Sequence, residues 1–313
     1  MGNSDDKRPV IPVLTGPTAS GKTGLSLVLL EKYPDLHVIS ADSRQIYRHL
    51  DIGTDKPPPE IRDRYNLHLV DFVEPTERYT AFDFATDSRN IIDSKIKAGK
   101  RLLVCGGTGL YIKALVEGLI EISEDDMSVR ERLEDDLITR GPKELYRELE
   151  EIDPDEAAGI HPNNIKRIIR ALEIYYVTGR TKSSLIAARN KDNREYAFPI
   201  FCLLPPRERL YEKIDRRVDE MMAAGFLDEV RRIVELGYGP PITGMGVIGY
   251  AEMFRHLDGE LSLDGAVNLM KQNSRRFAKR QITWFRGMNN VEFFSSPDRL
   301  AARLEAAWLD EEN

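Results

Sequence analysis

Several features that would place the protein in a specialised class are missing from its sequence. Its 313 residues include only two cysteines, Cys105 and Cys202, which lie far apart and form no Cys-x-x-Cys pair. This argues against a zinc site and against a disulfide framework. No uncharged apolar run approaches the roughly 18–20 residues that span a bilayer. The sequence therefore predicts a protein of a reducing compartment without a membrane partner.

The amino-terminal residues resemble no targeting signal. Residues 1–6 are too acidic and polar for a secretory signal peptide. Asp6 stands where a myristoylation signal requires Ser or Thr. We therefore expect a soluble, cytoplasmic protein, and the working expectation for its assembly is a monomer.

The charged residues are unevenly distributed along the chain. The net charge is −7, from 52 acidic and 45 basic residues. Residues 121–160 carry 15 acidic against 5 basic side chains, whereas residues 161–220 carry 13 basic against 8 acidic ones. Residues 271–286 contain six basic residues and no acidic one. A polyanion responds to charges within a Debye length of roughly 8–10 Å, so the negative average does not exclude a nucleic-acid partner.

Hydrophobic patterning predicts an α/β core that is interrupted by helices. Buried strands are predicted at 10–14, 37–40, 67–70, 101–105 and 197–204, and helices at 24–32 and 82–98. Strands that alternate with helices favour a parallel sheet covered on both faces. Residues 121–195 are helical and highly charged, and the residues after 204 read as helices to the end. We predict a core of residues 1–120 and 196–313 and an all-helical insertion of residues 121–195.

The strongest motif directly follows the first predicted strand and opens a helix. It matches G-x-x-x-x-G-K-[ST] and consists of Gly16, Pro17, Thr18, Ala19, Ser20, Gly21, Lys22 and Thr23. Glycines let the backbone wrap an anion, and the helix N-terminus adds positive potential. Lys22 would pair with phosphate oxygens, and Thr23 could hold Mg²⁺. The motif predicts a P-loop NTPase-like core that binds a di- or triphosphate, without saying which one.

Two interpretations of the loop start from this motif alone. A small-molecule or nucleotide kinase would use an Asp at a strand end to help hold the metal, and Asp42 and Asp71 are both placed for that role. Either carboxylate could instead cap a turn. The second interpretation is a non-catalytic RNA-binding protein with a vestigial loop, and the intact Lys22 and Thr23 argue against it.

Further segments decide between these interpretations. They are 42–47 (DSRQIY), 106–111 (GGTGLY), 166–173 (KRIIRALE), 217–221 (RVDEM), 247–250 (VIGY) and 280–286 (RQITWFR). Together with the phosphate loop, they resemble the tRNA dimethylallyltransferase family, also called tRNA isopentenyltransferases. The resemblance covers about residues 10–290 in order. The bacterial type is implied, because the chain lacks the Cys and His residues of the zinc finger that the eukaryotic branch adds.

The resemblance implies prenyl transfer from dimethylallyl diphosphate to N6 of the adenine on the 3′ side of the anticodon. The phosphate loop would then hold the diphosphate and Mg²⁺. By family position Asp42 is the general base, Thr18 lies near the bridging oxygen, and Arg217 reaches the diphosphate, although Arg216 beside it leaves that assignment ambiguous. A general base suits this reaction. The exocyclic amine of adenine is a poor nucleophile, because its lone pair is delocalised into the ring, and a base can take its proton as the C–N bond forms.

The resemblance also implies contacts with a tRNA anticodon stem-loop. The residues so assigned are Asp42, Ser43, Arg44, Gln45, Thr108, Arg130, Lys166, Arg167, Ile168, Ile169, Arg170, Gly246, Val247, Ile248, Gly249 and Tyr250. Gln45 could offer a bidentate amide to a base edge. Arg170 could instead form a structural ion pair with Glu173, three residues along the same helix.

The helix predicted at 264–286 has one basic face. At 100° per residue, Lys271, Arg275, Lys279 and Arg286 fall within about 80° of one another. Met270, Phe277 and Trp284 fall on the opposite side. A solvated face normally mixes signs, so a uniformly basic face predicts a track for RNA phosphates, to which Arg280 is also assigned. Trp284 and Phe285 are expected in the core.

Overall fold

The protein consists of two compact units. A computed structural model describes residues 8–118, 127–192, 195–240 and 246–309. The core unit comprises Met1–Val116 and Tyr196–Asn313, and the insertion comprises Glu117–Glu195. The predicted boundary at 120/121 falls outside the described residues, and the other predicted boundary, 195/196, coincides with the division between the units.

A six-stranded sheet forms the centre of the core unit. The strands are β1 (Val13–Thr15), β2 (Leu36–Ser40), β3 (Leu67–His68), β4 (Arg101–Gly106), β5 (Ile200–Leu203) and β6 (Val291–Phe294). Their order is β3-β2-β4-β1-β5-β6, and every neighbouring pair is parallel. The central strands are apolar on both faces because helices cover both sides. The predicted α/β class with a parallel sheet is confirmed.

Two strands differ from the prediction. β6 was missed, because residues after 204 were expected to be helical throughout; it pairs with β5 at the sheet edge, where Glu292 and Phe293 are exposed. A four-residue edge strand with mixed exposure has little of the apolar periodicity that marks a buried strand. β3 is shorter than predicted, since Leu69 and Asp71 both adopt a positive φ, near +59°.

Helices make up most of the remaining structure. In chain order they are α1 (Lys22–Lys32), α2 (Pro59–Arg64), α3 (Ala81–Lys97), α4 (Gly109–Glu117), α5 (Met127–Arg140), α6 (Pro142–Ile152), α7 (Pro154–Ala158), α8 (Ile165–Thr178), α9 (Lys182–Asp192), α10 (Arg207–Ala223), α11 (Phe226–Glu235), α12 (Tyr250–Leu257), α13 (Leu263–Arg286) and α14 (Pro297–Leu309). Local signals explain several boundaries: Thr80 and Asp83 form a capping box at α3, and Ser262 caps α13. No helix in the described ranges is long and apolar enough to cross a bilayer.

The insertion has an apolar core of its own. Helices α5, α6 and α8 contribute buried residues, among them Leu133, Leu149, Ile168 and Leu172. The assignment of Ile168 and Ile169 to tRNA contact is therefore corrected. Ile168 is 0% exposed and Ile169 6% exposed, because they form the apolar stripe of α8 and pack inward.

This packing predicts a stability effect at Ile168. Replacing it with Ala removes a fully buried side chain, so Ile168→Ala should lower the free energy of unfolding by about 2–5 kcal/mol. Urea unfolding of the full chain measures the loss. Lys166→Ala, an exposed change on the same helix, is the control and should stay within about 0.5 kcal/mol of the wild type. A loss below about 1 kcal/mol for Ile168→Ala would contradict its place in the core.

Candidate active site

A cavity of about 540 Å³ opens at the carboxyl ends of β1, β2 and β4. Its lining comes from the phosphate loop, from residues 42–45 after β2, from residues 53–55, from residues 106–108 after β4, and from α10 and α13. Parallel strands present their carboxyl ends at one edge of the sheet, and ligands of open α/β sheets bind there. All of these lining residues belong to the core unit.

The phosphate loop has a backbone that requires glycine at its two ends. Gly16 has φ +149° and Gly21 has φ +104°. A Cβ on Gly16 would overlap the carbonyl oxygen of Leu203 in β5. Gly21 immediately precedes α1, so the first N–H groups of that helix lie beside the cavity. The loop therefore presents backbone donors and the positive end of a helix to an anion.

Lys22 is the cation of this loop. Its Nζ donates a hydrogen bond to Pro17 O at 2.9 Å. Burial lowers the pKa of Lys22 below its usual value, and the charge of Arg217 lowers it further, whereas Asp42 acts in the opposite direction. Ser20 Oγ is buried and has no hydrogen-bond partner within the described residues. A bound anion would stabilise the charged ammonium and could accept from this hydroxyl.

The two adjacent arginines of α10 have different surroundings. Arg217 Nη1 donates to Thr18 Oγ1 of the phosphate loop, and its Nη2 lies 3.4 Å from Thr54 O. Arg216 is exposed and pairs with Glu220 at 3.5 Å. Arg217 is thus the arginine that reaches the loop, and both arginines contribute to the cavity wall.

The segment after β2 places Asp42 on the cavity wall. Asp42 Oδ1 accepts from Arg44 N at 2.9 Å and from Gln45 N at 3.4 Å, so its own turn orients the carboxylate. Ser43 N donates to Thr108 Oγ1 at 2.9 Å. Four residues predicted for the site, Asp42, Ser43, Gln45 and Thr108, therefore lie together.

The amide of Gln45 is arranged differently from the prediction. Its Nε2 donates to Thr54 O at 3.3 Å and to Asp55 O at 2.9 Å. A bidentate contact with a base edge needs both the amide N–H and the amide oxygen. Because the nitrogen is bound to the backbone, Gln45 presents its oxygen alone. This correction arises from the loop at 54–55, which is close to Gln45 only in the folded chain.

Gln281 is a site residue that the sequence analysis missed. It is 8% exposed, its Oε1 accepts from Thr18 N at 2.8 Å, and its Nε2 donates to Gly107 O at 2.8 Å. It thereby joins the phosphate loop to the loop after β4. A signal was present, since Gln281 lies about 20° from Met270 on the helical projection, as a polar residue on the apolar side.

Tyr250 and its neighbours lie partly outside the site. Tyr250 is 0% exposed, and its hydroxyl donates to Glu229 Oε1 at 2.6 Å, which corrects its assignment to tRNA contact. Val247 is 6% exposed, and Gly249 caps α12 with φ +102°. Gly246, Val247 and Ile248 line the cavity. The apolar packing of Val247 and Tyr250 anchors this turn in the core.

The basic face of α13 is partly neutralised by α10. Lys271 pairs with Asp219 at 2.6 Å, and Arg275 pairs with Asp215. The uniformly basic track expected from α13 alone is therefore incomplete. Exposed basic side chains remain further along the helix, at Lys279, Arg280 and Arg286.

The aromatic residues of α13 follow the prediction only in part. Phe285 is buried as predicted, whereas Trp284 is 43% exposed and Phe277 37% exposed. Trp284 packs on Gly109, where a Cβ would overlap the indole. The missing side chain at Gly109 is what allows the indole to lie at the surface in this position.

In the insertion, most of the predicted arginines are paired with acidic residues. Arg170 pairs with Glu173 at 2.9 Å, the structural ion pair left open above. Arg130 pairs with Glu134 at 3.1 Å and lies 4.0 Å from Glu173. Lys166 and Arg167 are exposed on α8.

The lining of the cavity could complete a magnesium site around a diphosphate. Thr23 and Asp42 both line it, and a hydroxyl and a carboxylate are hard oxygen ligands of the kind Mg²⁺ prefers. Within the described part of the chain, no group of three or more His, Cys, Asp or Glu residues is placed to hold a metal by itself. These residues fit an ion that takes most of its ligands from phosphate and water.

Known proteins resemble this chain over most of its length. The sequence model of the IPP transferase family matches residues 45–288. A tRNA dimethylallyltransferase of Syntrophobacter fumaroxidans is 41% identical over 308 residues, which cover 97% of this chain and 90% of the relative. One of Thermotoga maritima is 44% identical over 285 residues, covering 91% of this chain and 92% of the relative.

Solved structures of similar proteins have the same fold. The tRNA delta(2)-isopentenylpyrophosphate transferase of Staphylococcus epidermidis superposes with a TM-score of 0.69 at 33% identity, covering 98% of this chain and 100% of its own. A eukaryotic dimethylallyltransferase acting on tRNA gives a TM-score of 0.78 at 26% identity, covering 97% of this chain and 79% of its own. The cavity, the matching sequence model and the identity over nearly the whole length agree: the chain belongs to the IPP transferase family.

Proposed function

We propose that the protein transfers the dimethylallyl group of dimethylallyl diphosphate to N6 of the adenosine on the 3′ side of the anticodon in tRNA. The observation that carries the proposal is one cavity in which a phosphate loop with Arg217 and the carboxylate of Asp42 both line the wall. Such a cavity can hold a leaving diphosphate together with a base for the acceptor. The proposal agrees with the names of the relatives, which are tRNA dimethylallyltransferases.

The loop would stabilise the departing diphosphate. Lys22 is held by Pro17 O, Arg217 is held by Thr18 Oγ1 and Thr54 O, and the N–H groups at the start of α1 follow Gly21 directly. Donors arranged in advance stabilise charge that develops in a transition state without reorganising. Mg²⁺, when bound beside Thr23, would supply further positive charge to the phosphate oxygens.

Asp42 would act on the acceptor. As the new C–N bond forms at N6 and the C–O bond of the donor breaks, the electron pair of that C–O bond leaves with the diphosphate. The proton of the amine passes to the Asp42 carboxylate. The oxygen Oδ1 is held by the N–H groups of Arg44 and Gln45, so the turn keeps the carboxylate oriented toward the cavity.

The acceptor adenine must leave its stack to reach this cavity, as bases do in other enzymes that modify them. Exposed cations on each unit could hold the RNA backbone: Lys279, Arg280 and Arg286 on the core unit, and Lys166 and Arg167 on the insertion. We further propose that the protein acts in the cytoplasm, as a monomer.

The kinase remains the alternative that the phosphate loop alone would allow. It predicts nucleotide-dependent phosphoryl transfer to a small molecule and gives no role to the exposed basic residues of α13. The relatives and the solved neighbours, all named as transferases of prenyl groups to tRNA, favour prenyl transfer.

The proposed reaction can be tested directly with the purified protein. Labelled dimethylallyl diphosphate, Mg²⁺ and an unmodified anticodon stem-loop with adenosine after the anticodon should yield labelled RNA. The label should be absent when that adenosine is replaced by guanosine, and EDTA should abolish transfer. If no label is transferred while ATP is consumed with small-molecule acceptors, the kinase alternative is the better one.

Replacing Asp42 separates catalysis from binding. Asp42→Asn keeps the shape of the side chain and an acceptor for Arg44 N but removes the base, so kcat should fall by about 10²–10⁴-fold. The tRNA Kd, measured by filter binding, should change by no more than a few-fold. A normal single-turnover rate of transfer combined with a large loss of affinity for tRNA would contradict the role of Asp42 as the base.

The salt dependence of tRNA binding tests the basic residues of α13. Lys279→Ala and Arg286→Ala should each flatten the slope of log K against log salt concentration by roughly 0.7–0.9, since each removes one phosphate contact. Lys271→Ala and Arg275→Ala are matched controls on the same helix, and their slopes should stay near that of the wild type because carboxylates already hold these cations. Equal changes in all four variants would refute this division of the helix.

A further inference from the structure

Residues 51–56, which we call the support loop, carry the groups that hold two side chains of the cavity. Thr54 O accepts from Gln45 Nε2 at 3.3 Å and lies 3.4 Å from Arg217 Nη2. Asp55 O accepts from Gln45 Nε2 at 2.9 Å, and Asp55 Oδ2 lies 3.3 Å from Arg217 Nε. The orientation of Arg217 and Gln45 therefore depends on the shape of this loop.

A buried carboxylate on α11 shapes the beginning of the support loop. Glu229 is 2% exposed, and its Oε2 accepts from Asp51 N at 3.2 Å and from Ile52 N at 2.7 Å. Its Oε1 accepts from Gly53 N at 3.2 Å and from the Tyr250 hydroxyl at 2.6 Å. Four donors converge on one carboxylate, which matches its acceptor capacity. Three successive backbone N–H groups around one anion form a nest that fixes the local backbone.

The loop has little freedom to adopt another path. Gly53 lies against the rings of Phe226 and Tyr250, where a Cβ would overlap both. At the far end the Lys56 ammonium is fully buried and contacts Tyr47 O at 2.6 Å, Asp71 at 2.6 Å and Asp51 at 2.8 Å. Residues 54 and 55 therefore lie between two fixed points of the backbone, residues 51–53 held by Glu229 and residue 56 held by its buried side chain.

We propose that Glu229 is a positioning residue of the donor site, acting on Arg217 through the support loop. The inference rests on the proposed function, because the contact between Arg217 and the diphosphate belongs to it. Glu229 does not line the cavity. It holds the backbone of residues 51–53, and that backbone places the Thr54 carbonyl and the Asp55 carboxylate against the guanidinium.

The test is a double-mutant cycle between Glu229 and Arg217. Glu229→Gln keeps the size of the side chain but replaces one acceptor oxygen with an NH₂ group that faces backbone donors, so the loop should shift. We expect kcat/KM for dimethylallyl diphosphate to fall at least tenfold in Glu229→Gln and further in Arg217→Gln. The double variant should be no worse than Arg217→Gln within about twofold, because the effect of Glu229 on the donor passes through that arginine.

A second buried glutamate supplies the matched control. Glu252 on α12 is 4% exposed, and it accepts from Gly249 N and from Asn273 Nδ2, each at 2.6 Å. Glu252→Gln should lower the melting temperature as Glu229→Gln does. Any effect that it has on kcat/KM for the donor should multiply with that of Arg217→Gln.

The outcomes are distinct. Wild-type protein that transfers no label contradicts the proposed function itself. Wild-type transfer with an unchanged kcat/KM in Glu229→Gln, or with effects that multiply in the double variant, overturns the role of Glu229 alone. Should Glu229→Gln fail to fold, Glu229→Asp keeps the charge while withdrawing the carboxylate from the loop, and the same cycle is measured with it.

Discussion

The side-chain amide of Gln281 joins the two loops on which the active site depends. One end accepts from Thr18 N in the phosphate loop, and the other donates to Gly107 O in the loop after β4. The Gln281 side chain is buried, and an amide that is buried without hydrogen-bond partners would be costly. Gln281 of α13 therefore ties the phosphate loop to the loop after β4. The guanidinium of Arg217 adds a second tie, since it reaches Thr18 from α10.

The parts of the protein that could be predicted from sequence are those governed by neighbouring residues. The phosphate loop follows from glycines, a lysine and a strand within a dozen positions, and α3 follows from its hydrophobic patterning. The alternation of strands and helices was enough to predict a parallel sheet. Asp42 and Thr108 were identified through family segments that also lie beside strand ends. Their convergence follows from the geometry of parallel strands.

What could not be predicted depends on partners distant in sequence. The charges of Lys271 and Arg275 on α13 are offset by Asp219 and Asp215 of α10, more than fifty residues earlier. A helical projection of one segment cannot include the helix packed against it. The contacts of Tyr250 and Gln45 could not be predicted for the same reason. The Tyr250 hydroxyl donates to Glu229, and the Gln45 amide donates to the backbone of residues 54–55. β6 was missed because an exposed edge strand lacks a buried pattern.

The residues that contact the phosphate loop are far from it in sequence, and this separation has a consequence for the synthesis of the protein. Thr18 and Gln281 are 263 positions apart, and Arg217 lies 199 positions from Thr18. A nascent chain therefore exposes a complete phosphate-loop sequence long before it possesses the groups that tie this loop in place. The contacts that tie the phosphate loop in place can form only after Gln281 of α13 has been synthesised. A partly synthesised chain contains the phosphate-loop sequence but lacks Arg217 and Gln281, which contact that loop in the folded protein.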